Sequence, residues 1–362
     1  MKYLFGLIAI TSVLLTSCNE EVDLTGDFKE TVVVHGVLDQ SDSIHYIKIN
    51  RAFIGPGNAL EFAQIPDSSY FTDLVATVTE LVNGSQTRQW ILRDTLVDNK
   101  DTNGVFFAPT QKLYYFQTIT TADLNPNATY KLNINVSNGK YIVNGTTELV
   151  SGITSPISSQ NFSFKFSDNP GSYINQGVTA SNSGNSHILA AKLFINYYEY
   201  IGADSTLKTV PWSLGEAEVE ENEAKTFTAV GQTFYNLVKA SVTNNPSITK
   251  RRFENLTLQL TGGAEELANY ISVNEPSSTL AQSKPTYTNL EISGTSEGRV
   301  LGIFSARQTL TYVRKFYLGP GLAFIRSLDK KSTRELSIGP ITGTYLFCSD
   351  HVADNTETWY CN

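Results

Sequence analysis

Methionine occurs once in the chain, as Met1, and the 362 residues hold only three cysteines, three tryptophans and four histidines. Charged side chains are scarce at 17%, against about 25% in an average soluble domain. The one basic cluster is Lys250-Arg251-Arg252. A nucleic acid needs a basic surface to displace its counterions, so no nucleic-acid partner is expected. No apolar run reaches the ~20 residues that a membrane-spanning helix requires. The chain has no Gly-x-x-x-x-Gly-Lys phosphate loop and no Gly-x-Gly-x-x-Gly fingerprint. It has no Cys-x-x-Cys and no His-x-x-x-His pair either, so the usual spacings of a zinc site are missing. These absences point to a non-enzymatic protein without a metal or organic cofactor.

What is present is a 41% hydrophobic chain of net charge −8, rich in Thr, Ser, Asn, Tyr and Phe. That mix suits β-rich exported proteins. At its start, Lys2 precedes an apolar run from Tyr3 to Leu15, followed by Thr16, Ser17 and Cys18. The run has the length of a signal-peptide core. Leu15-Thr16-Ser17-Cys18 looks like a bacterial lipobox, in which the peptidase cuts before the cysteine. The expectation is a removed segment 1–17 and a Cys18 carrying diacylglycerol and fatty acyl groups. Each buried CH₂ of such chains contributes about 0.8 kcal/mol to anchoring. Residues 18–29 read as the acylated tether. Asn19, Glu20, Glu21 and Asp23 resemble the acidic surface-export signal of Bacteroidota lipoproteins, which implies display on the outer face of the outer membrane.

With Cys18 acylated, Cys348 and Cys361 remain, close together in an oxidising compartment, and are expected to pair. They would staple a tail over 348–362.

Between these ends the pattern is mainly β. Strands are expected at 31–38, 45–53, 74–82 and 88–96, the third closed by the hairpin signal Asn83-Gly84. In Pro126-Asn127-Ala128-Thr129-Tyr130-Lys131-Leu132 a tyrosine enters a strand behind a turn. This resembles the late strand of immunoglobulin-like or prealbumin-like sandwiches, where a tyrosine plugs the sheet corner. The expected organisation is a β-sandwich over 30–152, then a larger β-rich domain over 153–347. In the latter, the stripe Phe162, Phe164, Phe166 reads as core, and 168–186 as a long loop. Two short helices are expected, near 227–241 (from Phe227, Val230, Phe234, Leu237, Val238) and 264–273. The acidic stretch Glu216–Glu223 would sit before the first, favouring its N-terminus.

The order of features is familiar. The segments Gly231-Gln-Thr-Phe-Tyr-Asn-Leu-Val238, Asn269-Tyr270-Ile271, Pro285-Thr-Tyr-Thr-Asn289 and Gly298-Arg-Val-Leu-Gly-Ile-Phe-Ser305 follow the acylated cysteine and the sandwich. Together they resemble the Bacteroidota outer-membrane lipoproteins of the domain of unknown function 4249. The resemblance implies a two-part β-rich lipoprotein associated with a TonB-dependent outer-membrane transporter, and brings no catalytic residues.

The candidate chemistry is sparse. His35 and His45 lie in expected strands and read as structural. Asp350, His351 and Asp354 fall inside the expected disulfide loop, where a solvated loop is favoured over a metal site. Glu216, Glu218, Glu220, Glu221 and Glu223 lack the Asp-x-Asp-x-Asp-Gly loop of a calcium site. Trp90, Trp212 and Trp359 read as packing rather than as ligand platforms. The ligand-binding residues are not assigned from sequence. The function expected is a binding or accessory subunit working with a transporter in nutrient uptake. A structural or adhesive envelope role is the alternative, with a surface glycan or peptide hydrolase behind it. Replacing Cys18 by Ala is expected to move the protein out of the membrane fraction. Replacing both Glu20 and Glu21 by Ala is expected to protect it from protease added to intact cells.

Overall fold

The structure, a computed structural model, describes residues 30–52, 61, 65–98, 110–119, 123–159, 163–274, 286–294, 298–314, 316–317 and 324–361. The lipobox, Cys18, Asn19, Glu20, Glu21, Asp23 and Phe162 lie outside them. The fold is mainly β. In its first part run β1 (Thr31–Asp39), β2 (Ile44–Ala52), β3 (Leu74–Val82), β4 (Ser85–Ile91), β5 (Arg93–Val97), β6 (Gln111–Gln117), β7 (Thr129–Val136) and β8 (Tyr141–Glu148). Then come β9 (Ile153–Thr154), β10 (Ser167–Asn169), β11 (Ser172–Tyr173), β12 (Gln176–Asn182), β13 (Ile188–Ile201), β14 (Asp204–Glu218) and β15 (Ala224–Ala229). Helix α1 (Gly231–Ser241), β16 (Lys250–Gly263), α2 (Glu265–Asn274), β17 (Leu290–Ser293), β18 (Arg299–Arg314), β19 (Phe316–Tyr317), β20 (Phe324–Ile325), α3 (Lys330–Ile338) and β21 (Phe347–Cys348) complete it.

The expected sandwich exists, but residues 30–152 do not build it alone. One sheet runs β17-β8-β7-β3-β4 and the facing one β14-β13-β16-β18-β1-β2-β6-β5. Strand β17 pairs with β8, and β18 lies parallel to β1 from Thr31↔Arg299 to Asp39↔Arg307. The boundary at 152 therefore cuts through both sheets. The far half of β18 pairs with β16, Gly263↔Arg307 to Leu256↔Arg314, so one strand belongs to both parts. At 3.3–3.4 Å per residue its 16 residues span about 50 Å. Gly302 permits the pairing: its φ is +98°, and a Cβ there would stand 1.8 Å from the Val34 carbonyl oxygen.

Alternation dictates the faces. Tyr130, Leu132, Ile134 and Val136 point inward, as expected, and meet Val32, Val34, Ile47 and Ile49 from the other sheet in the core. The expected 88–96 strand is two strands. It leaves β3 after Ile91, pivots on buried Leu92, and joins β6 in the opposite sheet. Leu92 N–H still donates to the Ala76 carbonyl (2.9 Å), which holds the corner.

Beyond 152, Phe164 and Phe166 are core. Phe166 stacks on Phe234 of α1 (4.7 Å) and packs against Trp212 (5.8 Å). Segment 168–186 is not a long loop. Val178 and Ala180 turn inward from β12, which pairs with β15 and β9. Helix α1 starts at Gly231, not 227, because Lys225-Thr-Phe-Thr keeps a two-residue period and extends β15. The acidic stretch thus precedes a strand and cannot act on the helix dipole. Helix α2 falls where expected. Helix α3 was not foreseen. Its Leu336 is the one large apolar side chain it buries, while Ser332, Thr333, Glu335 and Ser337 are buried polar groups.

Tyr130 plugs its corner. Its hydroxyl donates to Glu80 Oε2 (2.8 Å) and lies 3.1 Å from the Asn125 carbonyl oxygen. Burial by itself would raise the Glu80 pKa. Hydrogen bonds from Arg88, Thr87, Tyr130 and the Asn125 N–H overcome that and hold it at about 2. His45, 2% exposed and stacked on Phe116, is pushed by burial down to about 4, against the opposing Asp39 charge.

Both depressions weaken the fold in acid. Unfolded His45 takes up a proton below its ordinary 6.5 while the folded residue resists until about 4. Glu80 contributes fully above its ordinary 4.5, and that contribution is lost as pH falls to about 2. Glu80→Gln is expected to cost about 3 kcal/mol at neutral pH. Urea melts across pH should lose the step between about 4.5 and 2 in this variant. His45→Phe should flatten only the upper step.

Candidate functional site: an acidic cleft at the waist

Among the described residues a cleft of about 990 Å³ opens beside Gly263, where the end of β16 pairs with the middle of β18. Its walls come from the 218–225 turn, from Gly184–His187, from Ser151 and from Glu265, Ala268 and Asn269 of α2. Glu218, Glu220, Glu221, Glu223 and Glu265 face it, with Lys225 and His187 beside them. The acidic stretch, placed before a helix by sequence reasoning, instead runs from the end of β14 through the turn that leads into β15.

The walls are held by backbone capture. Asn182 is 1% exposed. Its amide nitrogen donates to the carbonyls of Ser186 (2.8 Å) and Glu220 (3.0 Å). Its oxygen accepts from the N–H of Gly184 and Ser186. Asn185 ties the same turn to Leu149 and Ser151. Gly184 touches the Ser151 carbonyl so closely that a Cβ would sit 2.3 Å from its oxygen. Val219 N–H donates to the His187 carbonyl (3.0 Å), and His187 N–H to that of Gly263 (2.8 Å). Lys225, which also donates a hydrogen bond to Glu223, holds that carboxyl below its ordinary range. The cleft is thus a preformed, net-negative groove. It can take cationic groups or hydrogen-bond donors from a loop or ligand. Among the described residues no three His, Cys, Asp or Glu side chains are placed to hold a metal ion.

Cys348 and Cys361 form a disulfide. Inside its loop Ser349, His351 and Asp354 come together with Arg326. Ser349 Oγ donates to Asp354 (2.7 Å), and Arg326 binds both Asp354 oxygens. His351 Nδ1 accepts from Ala353 N–H (3.1 Å) and lies 2.8 Å from Arg326 Nη2. Ser349 is thus bonded to the carboxylate, not to the imidazole, which is not the order of a nucleophile and its base. His35 meets Tyr270 of α2 (3.0 Å) and His45 is in the core, so the four histidines do not converge. Trp212 and Trp359 are buried, while Trp90 packs on Phe116 (5.0 Å) under the Arg88 guanidinium (4.9 Å). Sequence reading missed Asn182, Asn185 and α2 as parts of one wall. The only local signal was the Ser-Asn-Ser-Gly-Asn-Ser turn composition of 181–186.

No family model matches the chain, and no curated protein matches it. Among solved structures, the C-terminal globular domain of an oligosaccharyltransferase from Pyrococcus abyssi shares 6% identity at a TM-score of 0.24. That match covers 63% of this chain and 45% of the other, so the chain spans less than half of that structure. The CBD12 structure from CALX1.2 shares 8% identity at a TM-score of 0.14, covering 77% of this chain and 99% of that one. Similarity this low carries no functional argument. No helix among the described residues is long and apolar enough to cross a membrane.

Asn182→Ala removes two donated and two accepted bonds at a buried point. It is expected to cost about 2–3 kcal/mol in chemical denaturation. In hydrogen exchange, the Gly184 and Ser186 amides should lose protection before those of β13.

Proposed function

We propose that the chain is a lipid-anchored accessory protein of the outer surface of a bacterial outer membrane, working with a TonB-dependent transporter in nutrient uptake. The observation that carries this reading is the lipobox cysteine. Cys18 stands twelve residues before the first described position, Glu30, so whatever the protein binds must come to the membrane surface. Two structural features support it. The chain enters the fold as β1, in the middle of the larger sheet, so the anchor pulls on the core rather than on a peripheral strand. The acidic cleft is built from loops already held by backbone hydrogen bonds. Such a preformed surface binds without a large ordering cost.

In this reading the glutamates of the cleft receive a basic loop of the transporter, and the sandwich acts as the spacer. The test is affinity capture of the protein after gentle detergent extraction of native outer membranes. A TonB-dependent transporter should co-purify, and replacing Glu218, Glu220 and Glu221 together by Gln should reduce its recovery several-fold. Recovery of the chain alone, with uptake unchanged on deletion, would overturn the reading in favour of a structural envelope role.

A further inference from the structure

We propose that the end of the sandwich from which the tether leaves rests on anionic lipid, with Arg299 and Lys140 meeting the phosphates of the bilayer. The proposal rests on the lipid-anchor reading and adds to it a face and an orientation.

Two observations carry it. The first is where the undescribed chain ends. The carbonyl of Glu30 accepts from Arg299 N–H (3.1 Å), and its carboxylate is bound by Arg51 (2.8 Å) and Lys140 (2.7 Å). Burial would raise the pKa of this carboxyl. The hydrogen bonds from Lys140 and Tyr141 and the Arg51 charge outweigh that and keep it ionised below its ordinary range. One residue thus fastens the exit point to β18, to β2 and to the β7–β8 turn. The eleven residues between Cys18 and Glu30 extend no further than about 40 Å. Strand β18 runs away from this point for about 50 Å. The exit end is therefore the part of the molecule that the tether brings to the lipid.

The second observation is charge. At the exit, Arg51 and Lys140 bind the carboxylate of Glu30, the Lys140 side chain is 50% exposed, and Arg299 is tied to Glu30 through its backbone N–H. Arg299 is exposed, as are Asn138 and Ser137 in the adjoining turn. Asp73, whose carbonyl accepts from the Ser137 N–H (2.8 Å), is exposed beside the same turn, and Asp98 lies beyond β5, two strands from Arg51 of β2. Among the described residues at the exit corner three cations stand against the carboxylates of Glu30 and Asp73. The acidic cleft is elsewhere. It adjoins Gly263, which pairs with Arg307, eight residues along β18 from Arg299. That is about 26 Å, more than three Debye lengths at physiological salt (about 8 Å each). The cleft glutamates therefore feel little of the lipid charge, and the exit cations feel it directly.

The test uses the full acylated chain in vesicles of phosphatidylcholine with and without phosphatidylglycerol. A photo-crosslinking residue replaces Asn138 in one sample and Ser205, at the β13–β14 tip, in another. Lipid adducts are expected from position 138 and not from 205. The yield at 138 should fall several-fold on neutral vesicles and with Arg299→Glu, whose folding is checked by its thermal melt. Equal adducts from both positions would overturn the proposal, as would a yield indifferent to lipid charge and to Arg299→Glu. Crosslinks from 138 to a second protein chain would also overturn it, by assigning this end to contact between copies. If Cys18 proves unacylated, its free thiol is coupled to a maleimide lipid and the same comparison is made. Failure of the anchor reading is thereby separated from failure of this one.

Discussion

Everything in this fold hangs on one parallel pairing, β1 with β18. The first described strand is laid against a strand some 270 residues later in sequence, and that strand then continues into the second part to pair with β16. Closing so long a loop costs entropy that local contacts cannot offset. The offset comes from burial: Val32, Val34, Ile303, Phe304 and Ala306 are all nearly or wholly removed from water. The pairing also requires one backbone to approach another more closely than any side chain allows, which Gly302 provides.

That single strand sets the functional geography. Because β18 is shared, the two parts meet at a fixed waist rather than across a hinge of linker. The waist is where the turns of both parts converge, and where the cleft forms. Its walls are polar, so they are held by carbonyls and amides rather than by apolar packing, with Asn182 at the centre. The same logic recurs elsewhere. Glu80 gathers Arg88, Thr87 and Tyr130 at the sandwich corner, and Arg251, 3% exposed, binds Glu199 and the carbonyls of Thr243 and Tyr345. Glu335, 1% exposed, accepts from the Gly171 N–H and the Tyr173 hydroxyl. Each is a buried charge with several partners, the condition under which such a group is tolerated inside a protein. These clusters fasten irregular segments that have too little apolar surface to hold themselves.

Much was legible in the sequence because it is local. Alternation at Tyr130, Leu132, Ile134 and Val136 assigns a strand and its buried face, since a period of two has no other solution. Asn83-Gly84 assigns a hairpin because both residues accept positive φ, and they adopt 51° and 77°. The tyrosine at the corner and the pairing of two neighbouring cysteines follow from similarly short-range signals. Lipidation of Cys18 and the export role of its acidic neighbours are also purely local readings. They remain expectations of the sequence, since those residues lie outside the described structure.

Pairing across long separations was not legible, because alternation shows which face is buried but not which strand is opposite. Hence the expected boundary at 152 cuts through two sheets, and the segments that form β17 and β18 fall in the expected 153–347 domain rather than in the sandwich they complete. Helix α3 escaped for a related reason. Its buried face is serine, threonine and glutamate, whose partners are remote: Ser332 Oγ accepts the N–H groups of Phe166 and Ser167. The acidic stretch reads in sequence as the lead into a helix because its charges are exposed and carry no pairing signal, whereas its position depends on Asn182 reaching across it. By itself the sequence determined strand faces, turns, the disulfide and a proposed address at the membrane. Only the tertiary structure decided which strands meet, and so where a cleft exists, because those choices rest on contacts between residues far apart in the chain.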